Sequence, residues 1–492
     1  MLGRTGCFKA AVVIIVPHIV MITEGTYPYF GGGVSRWCHV LLTKLSQFKF
    51  TIVAIVPPKK VIEKFVLPQN LVQVKQVRIG DLSQFKGIDK AVVNGNQINE
   101  FIKENIEMHK AFISSDLASA LKTTQQLFPK IQDDPVTFWR HKSGLKYLEE
   151  RYKDINPEIP FYKWLVYWKN THAMHLSLVV QKMPKGDLYH ATNSGWAGVL
   201  GLLGAQRYGK PLLLTEHGLA LRERGIAIER GEETPTHERL SLARISMRLN
   251  QLVYEAANLI TVVCKANKDW LVQNIGIPEH KIVVTYNGVD IKTFKPVELP
   301  KMPSKIIATI ARIFPLKDIK NLIKAASIVS RKKPELKFVV VGAPADREYY
   351  KECLNLVNDL NLQSVEFVGT SSNVIAWYNR MGIFVLPSIS EGFPLTTIEA
   401  MSCGTPVIVT DVGGAAEPVK VGRRSCGLVV PPSNPSKLAE AILFLYDNLH
   451  YYRTLSLNAR KLVETYFSET KFVQEYQKIY DELLSNMTDR NE

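Results

Sequence analysis

Short apolar runs alternate with segments of helical period along most of the chain, and the first of them sets the pattern. Ile19–Thr23 has the composition of a buried strand, and the glycine stretch Gly31–Gly33 follows it. Apolar positions recur with a helical period over Val34–Leu45, and Phe50–Val56 is a second apolar run. A strand, a glycine loop, a helix and a strand in this order predict the start of a Rossmann-type unit.

The same alternation returns after residue 186 and continues to residue 409. Further strands are predicted at Asp187–Ala191, Pro211–Thr215, Leu259–Val263, Lys281–Tyr286, Lys305–Ile310, Lys337–Val341, Val365–Val368, Ile383–Leu386 and Val407–Val409. Helices are predicted between them at Gly195–Tyr208, His237–Asn258, Ala266–Asn274, Asn321–Lys332, Glu348–Leu360, Asn373–Asn379 and Leu395–Cys403. Strands that alternate with helices indicate the α/β class, with doubly wound parallel sheets.

The segment from about 80 to 185 lacks this alternation and is rich in Lys, Gln, Glu and aromatic residues. Helical periods occur at Asn99–Lys110, Leu117–Leu127 and Pro160–Met183, so a largely helical insertion is predicted here. Asp133-Asp134-Pro135 is interpreted as a loop or a helix start, because a metal site would need a third ligand nearby.

The proline-rich run Pro296–Pro303 predicts a boundary between two domains. The first domain is expected to cover residues 1–294, and it includes the insertion. The second domain is expected over 295–469, and residues 470–492 form a terminal segment with a helix at about Thr470–Leu484.

Length and charge agree with two or three domains and an anionic partner. The chain has 492 residues, and lysine plus arginine exceed aspartate plus glutamate by 61 − 46 = 15. No long basic block with interleaved aromatic residues and no zinc-finger spacing occurs, so nucleic acid is not the favoured partner. The six cysteines form no CxxC pair, which argues against a zinc site or a disulfide framework and favours a reducing compartment.

The apolar residues 10–22 follow Arg4 and Lys9, so a signal peptide has to be considered. Pro17 and His18 interrupt the run, and no small-residue cleavage site precedes Thr23. The run is also too short to span a bilayer. It is interpreted as leading into the first core strand, and no other segment is a candidate for a membrane span.

Two carboxylates bracket the predicted helix at Leu395–Cys403. Glu391 lies in the loop before the helix and Glu399 lies inside it, at a separation of 399 − 391 = 8 residues. Eight residues are a little over two helical turns, so both side chains can face one crevice. Spacing alone favours a simpler interpretation, in which Glu391 is an acid at the helix entry and Glu399 is a solvated helix residue. The apolar neighbours of Glu399 argue against a solvated residue, since an unpaired buried carboxylate is costly.

Basic and imidazole side chains are predicted at other strand ends. Arg312 and Lys317 follow the strand at Lys305–Ile310, where a guanidinium and an ammonium suit a diphosphate. Without Glu391 and Glu399, ordinary solvated surface would be the favoured interpretation of these two cations. His217 follows the strand at Pro211–Thr215 and lies close to Arg222 and Arg224. A packed histidine remains an equal alternative for His217.

The run from Glu391-Gly392-Phe393-Pro394 through Glu399 to Gly404-Thr405-Pro406 resembles the paired-glutamate motif of retaining glycosyltransferases of family 4. This resemblance implies the GT-B fold, in which two Rossmann-like domains face each other across a cleft. It also implies that the helix of residues 470–492 crosses back to the first domain. It further implies an enzyme that takes its sugar from a nucleotide-sugar donor and needs no metal ion or other cofactor.

The resemblance implies a role for each matching position. In the second domain, Arg312 and Lys317 would bind the diphosphate, Glu399 the ribose, and Gly369 would lie near the base. Glu391 and the loop Gly392, Phe393, Pro394 and Leu395 would hold the sugar, with the amides of Phe393 and Leu395 as the better donors because proline has no N–H. The first domain would contribute His217, Gly31, Gly32, Gly33, Arg222 and Arg224.

A narrower resemblance, to the Pel branch of exopolysaccharide glycosyltransferases, is carried by motifs in both domains. They include Thr23–Tyr29, His190-Ala191-Thr192, Thr215–Gly218 and Ile313–Lys320. This resemblance implies a cytoplasmic biofilm enzyme that uses a UDP-sugar such as UDP-glucose, extends a polysaccharide acceptor and works beside inner-membrane synthase subunits. A sugar-nucleotide epimerase and a non-catalytic sugar-nucleotide-binding subunit are the alternatives on the same fold.

Overall fold

The computed structural model contains two parallel β-sheets, each covered by helices on both faces. It describes residues 16–57, 59–79, 141–155, 159–166, 181–219, 237–298, 303–422 and 424–488, with residues 99–100, 102–103, 106–107, 168 and 222 in addition. The apolar start before residue 16, the predicted helix at Leu117–Leu127, most of that at Asn99–Lys110, and Asp133-Asp134-Pro135 lie outside these residues.

The first sheet has seven parallel strands in the order β3-β2-β1-β4-β5-β6-β7. The strands are β1 His18–Glu24, β2 Lys49–Val56, β3 Leu71–Arg78, β4 Leu188–Ala191, β5 Leu212–Glu216, β6 Leu259–Val262 and β7 Ile282–Val284. Alternate residues of β1 belong to the cores on opposite faces, Ile19 and Met21 to one and Val20 and Ile22 to the other. Burial on both faces explains the nearly continuous apolar strand sequences.

The described helices of the first domain are α1 Gly33–Lys44, α2 Lys142–Ile155, α3 Trp196–Tyr208, α4 His237–Ala256 and α5 Lys265–Trp270. Helix α2 lies in the predicted insertion. The helix predicted over Pro160–Met183 is wrong at its end, because residues 181–183 are not helical.

The second sheet has six parallel strands in the order β10-β9-β8-β11-β12-β15. Its strands are β8 Ile306–Ile310, β9 Lys337–Val341, β10 Val365–Gly369, β11 Ile383–Leu386, β12 Val407–Thr410 and β15 Gly427–Val430, and a short antiparallel pair, β13 Lys420–Val421 with β14 Arg424–Ser425, lies outside the sheet. The helices of this half are α6 Ile319–Ser330, α7 Arg347–Asp359, α8 Val374–Arg380, α9 Leu395–Ser402, α10 Pro435–Asp447 and α11 Leu449–Tyr466. The two parallel sheets confirm the predicted fold class.

The last helix, α12 Glu469–Thr488, packs on the first domain. The chain crosses beside the linker between the domains, where the Val289 amide donates to the Phe467 carbonyl at 2.9 Å and the Glu469 amide donates to the Val289 carbonyl at 2.9 Å. Tyr480 of α12 hydrogen-bonds His190 Nδ1 at 2.8 Å inside the first core. The helix therefore ties the end of the chain to the sheet in which the chain begins.

Most predicted strands differ from the observed ones by one or two residues, but no strand or helix is predicted between residues 410 and 469, where β15, α10 and α11 lie. The other strand of the two sheets that was not predicted is β3. Its eight residues include Gln73, Lys75, Gln76 and Arg78, and it lies at the edge of the sheet. An edge strand carries polar residues where a central strand is apolar, so the pattern does not separate it from a loop. Among the described residues, no helix is long and apolar enough to cross a membrane.

Candidate active site

Lys317 and Glu391 meet because the strands that precede them are neighbours. Strands β8 and β11 run parallel and adjacent, so the loops that follow them leave from the same edge of the sheet. The Ile389 amide donates to the Leu316 carbonyl at 2.8 Å and holds the two loops together. Lys317 Nζ then lies 2.5 Å from Glu391 Oε1.

The Glu391 carboxylate is buried, and only one of its two oxygens accepts hydrogen bonds from described residues. Ser388 Oγ donates to Oε1 at 2.6 Å, beside the bond from Lys317. No described residue donates a hydrogen bond to Oε2. A carboxylate oxygen without a donor in a buried, ion-paired position can accept a hydroxyl group of a ligand.

Arg312 lies at the end of the same strand β8. Its guanidinium lies over the Phe314 ring, 5.3 Å from the centroid, and Lys317 Nζ lies 5.9 Å from the same centroid. Arg312 is exposed and has no ion pair with a described residue. The structure thus places both predicted diphosphate ligands around one ring, with Arg312 available to an anion.

The loop from Ser388 to Pro394 presents unpaired backbone amides. No described residue accepts a hydrogen bond from the amides of Gly392 or Phe393. Pro394 is the residue before α9 and no side chain caps this helix. A free helix N-terminus beside free amides favours oxygen atoms that carry negative charge.

Gly392 lies directly against the first domain. A Cβ atom built on it would lie 2.0 Å from the backbone oxygen of His217. On the other side, a Cβ on Gly413, whose φ is +49°, would lie 1.9 Å from the Glu391 carbonyl oxygen. The backbone of the loop is therefore enclosed between two segments that leave no room for side chains at these positions.

Glu399 is buried in α9 and has a partner from each domain. Arg36 Nη1 of α1 donates to Oε1 at 2.6 Å, and the Tyr378 hydroxyl of α8 donates to Oε2 at 2.7 Å. Burial raises the pKa of Glu399, and the Arg36 charge and the Tyr378 hydrogen bond oppose that shift. Glu399 is therefore a paired interior acid, and its interpretation as a solvated helix residue is wrong.

His217 faces this edge as a neutral imidazole. Burial lowers its pKa to about 3. Its ring contacts Trp37 edge-on at 4.7 Å between centroids, and its Nε2 atom is buried without a hydrogen-bond partner among the described residues. Because Nε2 is buried, His217 is a packed histidine in this structure, and a ligand would reach this nitrogen only after the ring or its neighbours move.

The glycine loop of the first domain faces α9 from across the cleft. Gly32 has a φ of 145°, which an L side chain rarely adopts, and α1 begins at Gly33. A Cβ on Gly33 would contact Leu395 Cδ1 at 3.4 Å. Gly31 is exposed, and a Cβ atom there would meet no atom within 4 Å.

Arg222 also reaches the second domain. Its Nη2 atom donates to the Glu391 carbonyl at 3.3 Å, and Nη1 donates to Asn267 Oδ1 at 3.3 Å. Arg224 lies outside the described residues.

Gly369, the residue predicted to lie near the base, ends β10, which is two strands away from β8. Its φ is +75°, and its carbonyl accepts a hydrogen bond from the Gly342 amide.

The residues that the sequence pattern does not single out include Arg36, Tyr378, Ser388 and Glu417. Arg36 had one usable signal, its position in the first turn of the helix after the glycine loop. No pattern in the sequence marks Glu417, because it lies in a loop of the second domain and contacts the first domain only in the folded structure. Its carboxylate accepts from the amides of Lys265 at 3.0 Å and Ala266 at 2.9 Å and from the Tyr286 hydroxyl at 3.0 Å.

We expect Glu417→Ala to lower the free energy of unfolding by about 1–2 kcal/mol. The substitution leaves the first two amides of α5 and a half-buried tyrosine hydroxyl without their acceptor. Urea unfolding measures the change. Glu440→Ala is the control, because Glu440 only pairs with Lys437 on the surface and should change stability by less than about 0.5 kcal/mol. Equal effects of the two substitutions would contradict a role for Glu417 in joining the domains.

Two families match the chain in succession. A family described as a domain of unknown function, DUF3492, matches residues 17–277. The family Glycosyl transferases group 1 matches residues 290–462. The boundary between the two matches falls at the linker between the domains. The Lys317–Glu391 pair lies within the match to Glycosyl transferases group 1.

Two curated relatives each resemble about half of the chain. The D-inositol 3-phosphate glycosyltransferase of Paenarthrobacter aurescens is 30% identical over 285 residues, which are 53% of this chain and 65% of that protein. The N,N'-diacetylbacillosaminyl-diphospho-undecaprenol alpha-1,3-N-acetylgalactosaminyltransferase of Campylobacter jejuni is 29% identical over 254 residues, which are 49% of this chain and 64% of that protein. The chain thus spans slightly less than two thirds of the length of these relatives.

Solved structures resemble the whole fold. The sucrose-phosphate synthase of Thermosynechococcus elongatus has a TM-score of 0.62 at 19% identity, covering 96% of this chain and all of that one. Anabaena HepE in complex with UDP has a TM-score of 0.59 at 16% identity, covering 94% of this chain and 99% of that one. With the two parallel sheets, these likenesses confirm the predicted GT-B fold.

Proposed function

We propose that this chain, which belongs to the DUF3492 family and is by family and fold a group 1 glycosyltransferase of the GT-B type, transfers a hexosyl group from a UDP-sugar to a growing exopolysaccharide. The observation that carries the proposal is the Lys317–Glu391 pair at the carboxyl edge of the second sheet, beside the free amides of Gly392 and Phe393 and the uncapped start of α9. This arrangement combines cations for a diphosphate with an acceptor and donors for sugar hydroxyls.

In this proposal Arg312 and Lys317 bind the diphosphate and stabilise the charge that develops on it when the sugar leaves. Two observations support these roles: the exposed Arg312 guanidinium has no ion pair with a described residue, and Lys317 shares the Phe314 ring with it. Preorganised cations and amides aimed at a developing negative charge supply a large part of catalysis in such sites. They take the place that a bound metal ion has in other transferases, so the proposed reaction is metal-independent.

We assign the Glu391 carboxylate to the sugar of the donor and the Glu399 carboxylate to its nucleoside. Glu391 would accept a sugar hydroxyl at Oε2, and the amides of Gly392, Phe393 and Leu395 would donate to the sugar. Glu399 would accept from the ribose hydroxyls, and Gly369 would lie near the base. His217 and the loop Gly31, Gly32 and Gly33 would close over the sugar from the first domain, with Arg222 and Arg224 on the acceptor side.

We infer retention of the anomeric configuration from the resemblance to family 4. The bond between the anomeric carbon and the diphosphate oxygen breaks, and the acceptor hydroxyl oxygen bonds to the same face of that carbon. Its proton passes to the departing phosphate oxygen. The ion pair of Glu391 with Lys317 makes this carboxylate a poor nucleophile, which supports a reaction without a covalent enzyme intermediate.

The Pel-like motifs of the sequence support an exopolysaccharide acceptor, a cytoplasmic location and inner-membrane synthase subunits as partners. The Anabaena HepE structures of similar fold contain UDP, UDP with glucose, and UDP-glucose, which supports UDP-glucose as the first donor to test.

The test is release of UDP, ADP or GDP from a panel of nucleotide sugars by the full chain, with and without polysaccharide acceptors. We expect release from one UDP-sugar, stimulated by its acceptor. A new free nucleotide sugar without released UDP would identify an epimerase instead. Tight UDP binding with no turnover for any acceptor would indicate a binding subunit, and failure to bind any nucleotide would overturn the proposal.

Lys317→Ala should weaken UDP binding by roughly 1.5–3 kcal/mol, or about 10- to 150-fold, because it removes a charge-assisted bond to the diphosphate. Calorimetric titration with UDP measures this change. Lys320→Ala is the control, since Lys320 pairs with Glu352 on the surface of the same segment. Unchanged UDP affinity in Lys317→Ala would contradict the assignment of Lys317 as a ligand of the diphosphate.

A further inference from the structure

Arg36 and Glu399 form an ion pair between the two domains at the proposed nucleoside site. Arg36 belongs to α1 of the first domain and Glu399 to α9 of the second, 399 − 36 = 363 residues further along the chain. Nη1 lies 2.6 Å from Oε1, with 39% of the arginine side chain and 9% of the glutamate side chain exposed. The pair thus joins a half-exposed cation to a buried acid.

The linker between the domains holds the guanidinium in place. The Arg36 guanidinium carbon lies 4.9 Å from the centre of the Phe294 ring. Phe294 in turn contacts the Tyr378 ring edge-on at 6.0 Å, and the Tyr378 hydroxyl donates to Glu399 Oε2. Arg36 and Tyr378 therefore approach the two oxygens of one carboxylate and share an aromatic support in the linker.

We propose that Arg36 is a positioning residue that orients Glu399 toward a ribose diol, so that recognition of the nucleoside depends on contact between the two domains. The inference rests on the proposed function, because it takes Glu399 as the ribose acceptor. It adds a residue of the first domain to a site whose other nucleoside ligands all belong to the second.

The acceptor capacity of the carboxylate agrees with this role. An ionised carboxylate offers about four lone-pair positions on its two oxygens. Arg36 and Tyr378 occupy one on each oxygen, which leaves one on each for the two neighbouring hydroxyls of a ribose. Burial raises the pKa of Glu399, and the positive charge of Arg36 opposes that rise and so favours the ionised acceptor form.

A competing arrangement is that Arg36 covers Glu399 and must leave before a nucleotide binds. The Phe294 contact argues against it, because the linker ring holds the guanidinium beside Glu399, and departure would lose that stacking. The two arrangements predict opposite effects of removing the guanidinium.

The experiment compares the binding of UDP and of 2′-deoxyuridine diphosphate by calorimetry, in the full chain and in Arg36→Met. The unchanged chain should prefer UDP by about tenfold, the worth of one hydrogen bond to a charged acceptor. Arg36→Met should bind UDP about tenfold more weakly and should reduce that preference to about twofold, because an unoriented Glu399 no longer distinguishes the two sugars. Arg36→Lys, which keeps the charge, should recover part of the preference.

Arg207→Met is the matched control, since it removes an exposed guanidinium of the first domain that also lies over an aromatic ring, that of Tyr208. It should leave both affinities unchanged. Tighter binding of both nucleotides by Arg36→Met would show that Arg36 covers the site, and an equal loss for both, or no loss, would also overturn the inference. Failure of the unchanged chain to bind UDP would instead refute the proposed function on which the inference rests.

Discussion

Gly392→Ala is expected to reduce the rate of sugar transfer about a hundredfold while UDP affinity falls less than about tenfold. A Cβ atom at this position would lie 2.0 Å from the backbone oxygen of His217 and 3.1 Å from its carbonyl carbon. The obstacle is backbone, so rotation of a side chain cannot relieve it. Either the domains separate or the loop proposed to bind the sugar shifts, and a shift of about 1 Å at reacting groups is enough for a loss of this size.

Initial rates of UDP formation and calorimetric UDP affinity separate the two effects, and small-angle scattering measures whether the domains move apart. UDP affinity should largely persist because Arg312 and Lys317, the proposed diphosphate ligands, belong to the second domain. Gly31→Ala is the control for the scattering experiment, since a Cβ there meets no atom within 4 Å. A rate within a factor of three of the unchanged chain would contradict the proposed closure of His217 over the sugar.

Glu391→Ala is expected to reduce transfer by about 10²–10³-fold, the cost of removing one oriented electrostatic group from such a site. It should also lower the free energy of unfolding by about 2–3 kcal/mol, because it leaves the Lys317 ammonium without its counterion. This loss of stability is smaller than the loss expected for a fully buried pair, because 19% of the Lys317 side chain is exposed.

The double variant Lys317→Met with Glu391→Leu separates the structural effect from the chemical one. Two apolar side chains leave no unpaired charge, so stability should return to within about 1 kcal/mol of the unchanged chain while transfer stays lost. Urea unfolding and UDP release measure both quantities, with Glu352→Ala as a surface-pair control. If the double variant is as unstable as Glu391→Ala, the stability loss has another cause than the unpaired lysine.

The local pattern of the sequence was sufficient for most of the scaffold. Strands such as Lys337–Val341 and Ile383–Leu386 were predicted with the observed bounds, because both faces of a central parallel strand are buried and the run is continuously apolar. Leu71–Arg78 was missed because an edge strand shares its polar composition with loops. Helix Ile319–Ser330 began two residues before the prediction, since Asp318 adopts a left-handed conformation that the pattern does not show.

The candidate site was predictable as far as its residues are adjacent along the chain. Glu391, Gly392 and Glu399 lie within one strand–loop–helix segment, and Arg312 and Lys317 lie within another. Their partners are far along the chain, and no periodicity carries that information. Ser388 is the exception, because it lies close to Glu391 along the chain. Its hydroxyl can donate to the Glu391 carboxylate only because the loop turns back on itself.

The sequence by itself determined the α/β class, the two sheets and the loops that carry the charged side chains, because period and composition follow from burial of each element. Only the tertiary structure decided that Lys317 pairs with Glu391, that Arg36 reaches Glu399 and that Gly392 lies against His217. The physical reason is the parallel sheet and the two-domain arrangement. They bring the ends of distant strands to one edge and one cleft, and contacts across that edge depend on geometry rather than on neighbours in the chain.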